Sequence, residues 1–161
     1  MTEIIYQYST ILGHTYLLGA TEKGLAFVGS QDKDLSELEQ FYPQSTLKPS
    51  VLNTCYAKQL AEYLSGQRKQ FDLPLDIVGT AFQKQVWQAL KQIPYGQTTS
   101  YLQIAQMINR AKASRAVGTA VGKNPVLMVI PCHRVVTSAG SLGGYRGGLA
   151  MKQALLDLEQ K

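Results

Sequence analysis

Apolar residues come in two periods along this chain. Residues 4–30 hold three short runs rich in β-branched and aromatic residues, IIYQYST, TYLLGAT and GLAFVGS, separated by LGH and EKG. Runs of that length bounded by turn residues predict three strands in hairpins or a meander. DLSELEQFY and VLNTCYAKQLAEYL then read as helices. In the second, Leu52, Tyr56, Leu60 and Leu64 recur every four residues, and Gly66 supplies a left-handed stop. Cys55 falls toward the inner face of this helix and reads as a buried structural thiol. FDLPLDIVG is a short strand or linker that ends at Gly79.

From residue 80 the helical period dominates. Thr80 and Gln83 fit a capping box that opens a helix with Phe82, Val86, Ala89 and Leu90 on one face. Pro94-Tyr95-Gly96 stops it. Ser100 and Gln103 fit a second box, and the helix after it turns Tyr101, Ile104, Ala105 and Ile108 inward. A basic turn, Asn109 to Lys112, leads to a third helix from Ser114 to Gly122. Two helices joined so tightly suggest a helix-turn-helix. The third helix has almost no large side chain after Arg115, so its backbone can approach either a neighbouring helix or a nucleic-acid groove. Val126 to Ile130 is an apolar run, either a buried strand or an extended segment. VVTSAGSL reads as a hairpin, GGYRGG as a loop, and MKQALLDLEQK as a last helix burying Met151, Ala154, Leu155 and Leu158.

Charge sharpens this division. Residues 1–79 hold six basic and nine acidic side chains, a net −3, whereas residues 80–161 hold ten and two, a net +8. A compact unit of that charge attracts polyanions, nucleic acid first among them, although a solvated basic surface is the plainer account. No apolar stretch approaches a membrane span, and the N-terminus lacks the basic flank and apolar block of a secretory signal. With only two cysteines the chain reads as cytoplasmic, with reduced thiols. His14, Cys55, Cys132 and His133 lack the paired spacing of a zinc site, and no phosphate-binding loop or dinucleotide fingerprint is visible.

The chemistry concentrates in Pro131-Cys132-His133-Arg134, where an apolar segment meets a proline. A thiol reacts as thiolate, and a cationic or proton-accepting neighbour raises the ionised fraction. Adjacency alone does not supply that neighbour, because successive side chains of an extended segment point to opposite sides.

These residues do not stand alone. Pro131 to Val135, together with FQKQVWQALKQIPYGQTTSY, KASRAVGTAVGKNP and GGYRGGLAMKQALLDLE, resembles the O6-alkylguanine-DNA alkyltransferases, also called methylated-DNA–protein-cysteine methyltransferases, in order and spacing. The likeness spans residues 80–161; before residue 80 only length and strand–helix pattern agree. It implies an α+β fold with a small ribonuclease-H-like α/β domain (1–79) and a winged-helix-like DNA-binding domain (80–161). It also implies transfer of an alkyl group from O6 of guanine to a cysteine in one irreversible turnover after base flipping. No cofactor or metal is implied. The partner would be duplex DNA carrying alkylated guanine, with acceptance of O4-alkylthymine left open, and a monomer is the simplest state.

By position, the resemblance makes Cys132 the nucleophile and His133 its proton partner through a water. Glu159 orients that histidine, and Tyr101 donates a proton toward the leaving guanine. Asn124, Val135, Tyr145 and Arg146 would shape the substrate pocket, Arg146 standing where the family often has a small polar residue. Arg115, Ala116, Gly118, Thr119, Lys123 and Arg134 would meet DNA, with Arg115 filling the gap left by the extruded base. Read without the resemblance, Arg115 is a phosphate contact, Tyr101 a core aromatic, Asn124 a helix cap and Glu159 a solvated tail. Two other readings stay open: a DNA-binding module with a structural thiol, and, more distantly, a cysteine hydrolase.

Overall fold

The computed structural model describes residues 2–51 and 54–161. They form two compact units, the first ending at Val78 and the second running from Gly79 to Lys161.

The first unit contains β1 (Glu3–Ile11), β2 (His14–Thr21), β3 (Gly24–Val28), α1 (Leu35–Phe41), β4 (Thr46–Pro49) and α2 (Thr54–Leu64). The sheet order is β3-β2-β1-β4, antiparallel through the first three strands and parallel where β4 joins β1. The three strands expected from the apolar runs are all present as a meander. β4 was not legible: it is four residues long, ends in proline and occupies an edge, where a missing N–H costs nothing. Central β2 buries Tyr16 through Ala20 on both faces, so its run is continuous rather than alternating. Ile4, Leu17, Phe27 and Leu38 form the core beneath α1, whose N-cap Asp34 accepts from the Ser36 N–H.

One open reading is narrowed here and one expectation changes. FDLPLDIVG is an extended segment with a single bridge, Leu75 to Leu25, fastened by Leu25 N–H to Pro74 C=O at 2.9 Å. Cys55 is exposed, because the inner face of α2 is set by Tyr56, Gln59, Leu60 and Tyr63. Leu64 is only half-buried, and Leu52 lies outside the described residues.

The second unit contains α3 (Ala81–Leu90), β5 (Thr99–Ser100), α4 (Tyr101–Met107), α5 (Ser114–Gly122), β6 (Val135–Val136) and α6 (Leu149–Glu159). Both capping boxes are complete, Thr80 with Gln83 and Ser100 with Gln103. Each satisfies two N–H groups that a helix start leaves without partners. Trp87 shares the inner face of α3 with Val86, Ala89 and Leu90, and its indole N–H donates to the Ala120 carbonyl at 2.9 Å, tying α3 to α5. Phe82 stays half-buried under the Arg110 guanidinium.

Three further expectations are corrected. Val126, Leu127, Met128 and Ile130 are buried, but residues 126–130 run through successive turns rather than a strand, with Met128 in the left-handed region at φ 70°. VVTSAGSL is not a hairpin: Val135 and Val136 pair in parallel with Thr99 and Ser100, and Thr137 to Ser141 is a self-bonded turn. In α6 the buried residues are Met151, Lys152, Leu155 and Glu159, while Ala154 is exposed. A helix face carrying a lysine and a glutamate inward is invisible to a count of apolar positions.

Candidate active site

Cys132, His133 and Arg134 form one 3₁₀ turn directly after Pro131. Three residues per turn fan consecutive side chains by about 120°. A thiol, an imidazole and a guanidinium that adjoin in sequence can therefore serve different surroundings. The turn is braced from behind by Asn124, itself buried. Its Nδ2 donates to the Ile130 carbonyl at 2.8 Å, and its Oδ1 accepts from the Val126 N–H at 2.9 Å. Asn124 thus joins the end of α5 to the segment carrying the thiol.

His133 and Arg134 both turn toward Glu159 on α6. His133 Nε2 lies 2.7 Å from Glu159 Oε2, and Arg134 donates from Nε to Oε1 at 2.9 Å and from Nη2 to Oε2 at 3.0 Å. The Gly96 N–H adds a fourth bond at 3.1 Å. A carboxylate only accepts, so the imidazole carries its proton on Nε2. All three side chains are buried. Glu159 is no solvated tail, despite lying two residues from Lys161. Arg134 corrects an expectation: it does not offer its charge to DNA. Its guanidinium is forked onto Glu159, donates from Nη1 to the Ile93 carbonyl at 2.6 Å and lies over the Tyr95 ring. The fork matches carboxylate geometry and neutralises the acid beside His133.

On the other side of the turn, Cys132 borders a cavity of about 300 Å³. Tyr101 of α4 and Gly118, Val121 and Gly122 of α5 form one part of its wall; Gly144, Tyr145 and Arg146 form another. The small residues of α5 leave this space open, since a methyl group at Gly122 would meet nothing within 4 Å. Val135, expected at the pocket, is instead fully buried in β6 and is not part of that wall. Arg146 Nη2 donates to the Asn124 carbonyl at 3.0 Å.

The loop is held by a residue the sequence reading passed over. Lys152 is fully buried, and its Nζ donates to the carbonyls of Val135 (2.6 Å), Gly144 (3.2 Å) and Leu142. The available signal was spacing: Lys152, Leu155 and Glu159 share one helix face. Gly147 lets the loop lie flat, because a Cβ there would come within 2.5 Å of the Met151 sulfur and 2.7 Å of the Tyr145 ring.

Burial dominates the protonation states. It pushes the Cys132 thiol up, against the opposing pull of a hydrogen bond from Asn124 and the positive charges of Arg146 and Lys152. The resting sulfur is therefore a neutral thiol. Burial holds His133 below its ordinary value, with the Glu159 contact opposing, so the ring is neutral near pH 7. Burial also raises Tyr101, keeping its phenol protonated although the Gly144 N–H contacts it. Lys152 is lowered by burial, with the Cys132 sulfur opposing. The arrangement holds a nucleophile, a neutral base backed by a carboxylate, and a phenolic acid. Among the described residues no cluster of His, Cys, Asp and Glu could hold a metal ion, and no helix is long and apolar enough to cross a membrane.

On its exposed face α5 presents Arg115, Ala116, Thr119 and Lys123, with Gly118 half-buried; Val117, Ala120 and Val121 face inward. The Thr119 hydroxyl is turned back onto the Arg115 carbonyl.

Comparison with known proteins agrees with this geometry. The family described as "6-O-methylguanine DNA methyltransferase, DNA binding domain" matches residues 81–161, and its "ribonuclease-like domain" matches residues 6–77. The chain is 50% identical over 151 residues to a Bacillus subtilis protein named "Methylated-DNA--protein-cysteine methyltransferase, inducible", covering 91% of this chain and 84% of that one. It is 46% identical over 140 residues to a Mycobacterium bovis methylated-DNA–protein-cysteine methyltransferase, covering 84% of each. Among solved structures, that of Mycobacterium tuberculosis OGT in complex with DNA superposes with a TM-score of 0.80 at 37% identity, covering 98% of this chain and 92% of that one.

Proposed function

Because the chain belongs to the 6-O-methylguanine DNA methyltransferase family, we propose that Cys132 accepts an alkyl group from O6 of guanine in duplex DNA, once per molecule. One observation carries this reading: the sulfur borders an open cavity beside a protonated phenol, with a buried His133–Glu159 pair behind the same turn. The reaction is a displacement. A bond forms from sulfur to the alkyl carbon as the carbon–O6 bond breaks, and the bonding pair stays with guanine. The thiol proton passes toward His133, whose neutral ring can take it and whose cation Glu159 then stabilises. Tyr101, held as a neutral phenol, supplies a proton to the leaving guanine.

A stacked base cannot reach a cavity of this kind, so the target nucleotide must rotate out of the duplex, at a cost of a few kcal/mol. We assign that step to α5. Its exposed small residues permit close approach to a groove, Lys123 meets phosphate, and Arg115 occupies the vacated space. The relative solved in complex with DNA supports DNA as the partner. Cys132 is buried, so it reacts only with a group that enters the cavity.

Intact mass after incubation with O6-methylguanine duplex tests this. The expected result is one added methyl group on the native protein and none on Cys132→Ala, which retains DNA affinity. An unchanged mass for the native protein would leave a DNA-binding module with a structural thiol. Methylation of Cys132→Ala would move the acceptor elsewhere.

A further inference from the structure

Glu159 Oε2 serves two donors at once. His133 Nε2 lies 2.7 Å from it and Arg134 Nη2 donates to it at 3.0 Å, while Arg134 Nε and the Gly96 N–H share Oε1. The guanidinium is pinned in place, with Nη1 on the Ile93 carbonyl at 2.6 Å and the Tyr95 ring against its face. The charges acting on His133 come from Glu159 and Lys152 of α6 and from Arg134 of its own turn, where Cys132 precedes it. Lys84, the one ionisable side chain of α3, is exposed. Burial holds the His133 ring below its ordinary value of 6.5, the Glu159 contact opposes, and the positive charges of Arg134 and Lys152 push the same way as burial. Lys152 stands seven residues before Glu159, roughly 10 Å along the helix, and donates to loop carbonyls. Arg134 is bonded to the acid itself.

We propose that Arg134 is a positioning residue for transfer: acting through Glu159, it keeps His133 free of a second proton at neutral pH, and so able to take the proton of Cys132. This rests on the reading of Cys132 as alkyl acceptor. A buried imidazole against a carboxylate gains a proton readily, because the ion pair so formed cancels a buried charge. A ring protonated on both nitrogens cannot then accept a proton from sulfur. Arg134 cancels that charge beforehand, through a fork that matches the carboxylate. Without it the cluster is more negative by one unit and the carboxylate loses two bonds, so the ring holds its second proton to higher pH. The transfer step is unaltered. Sulfur gains the alkyl carbon, its proton goes to His133, and guanine keeps the pair of the broken carbon–O6 bond.

The test is the pH profile of single-turnover methyl transfer from an O6-methylguanine duplex, read by intact mass between about pH 5 and 9. The ring resonances of His133 are titrated in parallel. In Arg134→Met the midpoint of the acidic limb is expected to rise by about 1–3 pH units, and the His133 resonances with it. The rate then falls roughly 10-fold or more at the acidic end and returns toward native at the alkaline end. Arg134→Lys, which keeps the charge without the fork, is expected in between. Arg134→Met combined with Glu159→Gln loses one charge of each sign, so its His133 midpoint is expected at or below the native one; this variant carries the test should the single one not fold. A rate loss uniform across pH with His133 unmoved reveals a merely structural arginine and overturns the proposal. So does a raised His133 midpoint in the charge-balanced double variant. Native protein that takes up no methyl group at any pH overturns the acceptor role of Cys132, and this proposal with it.

Discussion

The two units treat buried polarity in opposite ways. Among the described residues of the first unit, the buried polar side chains are Ser30 and Gln59, both uncharged. Glu37, half-buried, accepts from the Ser30 N–H and hydroxyl. The second unit buries Asn124, His133, Arg134, Lys152 and Glu159. A sheet core of Ile4, Leu17, Phe27 and Leu38 gains free energy from every residue it hides. A buried histidine, arginine, lysine and glutamate gain little, because desolvation consumes most of their mutual attraction. The second unit therefore keeps these groups at a cost in stability, and what it obtains is a held turn and preset protonation states around Cys132.

That contrast can be broken by mutation. The largest expected effect is Glu159→Ala, which strands Arg134 and His133 without their acceptor. It should cost about 3–5 kcal/mol of stability and suppress transfer. Urea denaturation followed by the fluorescence of Trp87, the sole tryptophan and a member of the second unit, measures it. Next, Leu17→Ala in the first unit should cost about 3 kcal/mol by leaving a cavity, read by far-ultraviolet dichroism, while the transfer rate per folded molecule is unchanged. A loss of rate there would show that the sheet unit contributes to chemistry. Lys152→Met should cost about 2 kcal/mol, since three carbonyls lose one charged donor, and should slow transfer by loosening residues 142–144; single-turnover kinetics resolve this from folding.

The smallest effect separates the units by pH. His133 is held below its ordinary value of 6.5 in the folded state, so only the unfolded chain takes up its proton as pH falls through that range. The stabilisation is present above about pH 6.5 and is lost below it. In the first unit the lowered groups are the exposed Asp32 and Asp34, with ordinary values of 3.8, so its stability declines only as pH falls toward that range. Acid titration should therefore disturb the Trp87 signal before the sheet signal. Simultaneous loss would contradict the protonation state assigned to His133.

Much of the scaffold was legible because it rests on contacts within a few residues. Capping boxes close over three positions, the strands of the meander over a short turn, and α5 spans Ser114–Gly122 as its pattern predicts. β4 escaped notice because its partner strand lies more than forty residues earlier, with Glu3 opposite Thr46. The apolar segment 126–130 looked like a strand because burial and extension share one composition; the Asn124 bonds and the turn at Met128 bend it.

By itself the sequence determined the helices and their caps, the basic character of residues 80–161 and, through the family resemblance, the cysteine to examine. Only the tertiary structure decided what each charged side chain faces. Arg134 meets a glutamate 25 positions away instead of solvent, Lys152 reaches back 17 positions to Val135, and Cys55 turns outward. The physical reason is range. Backbone preferences are set by neighbours along the chain, whereas the free energy of a buried charge depends on whichever distant partner folding brings against it.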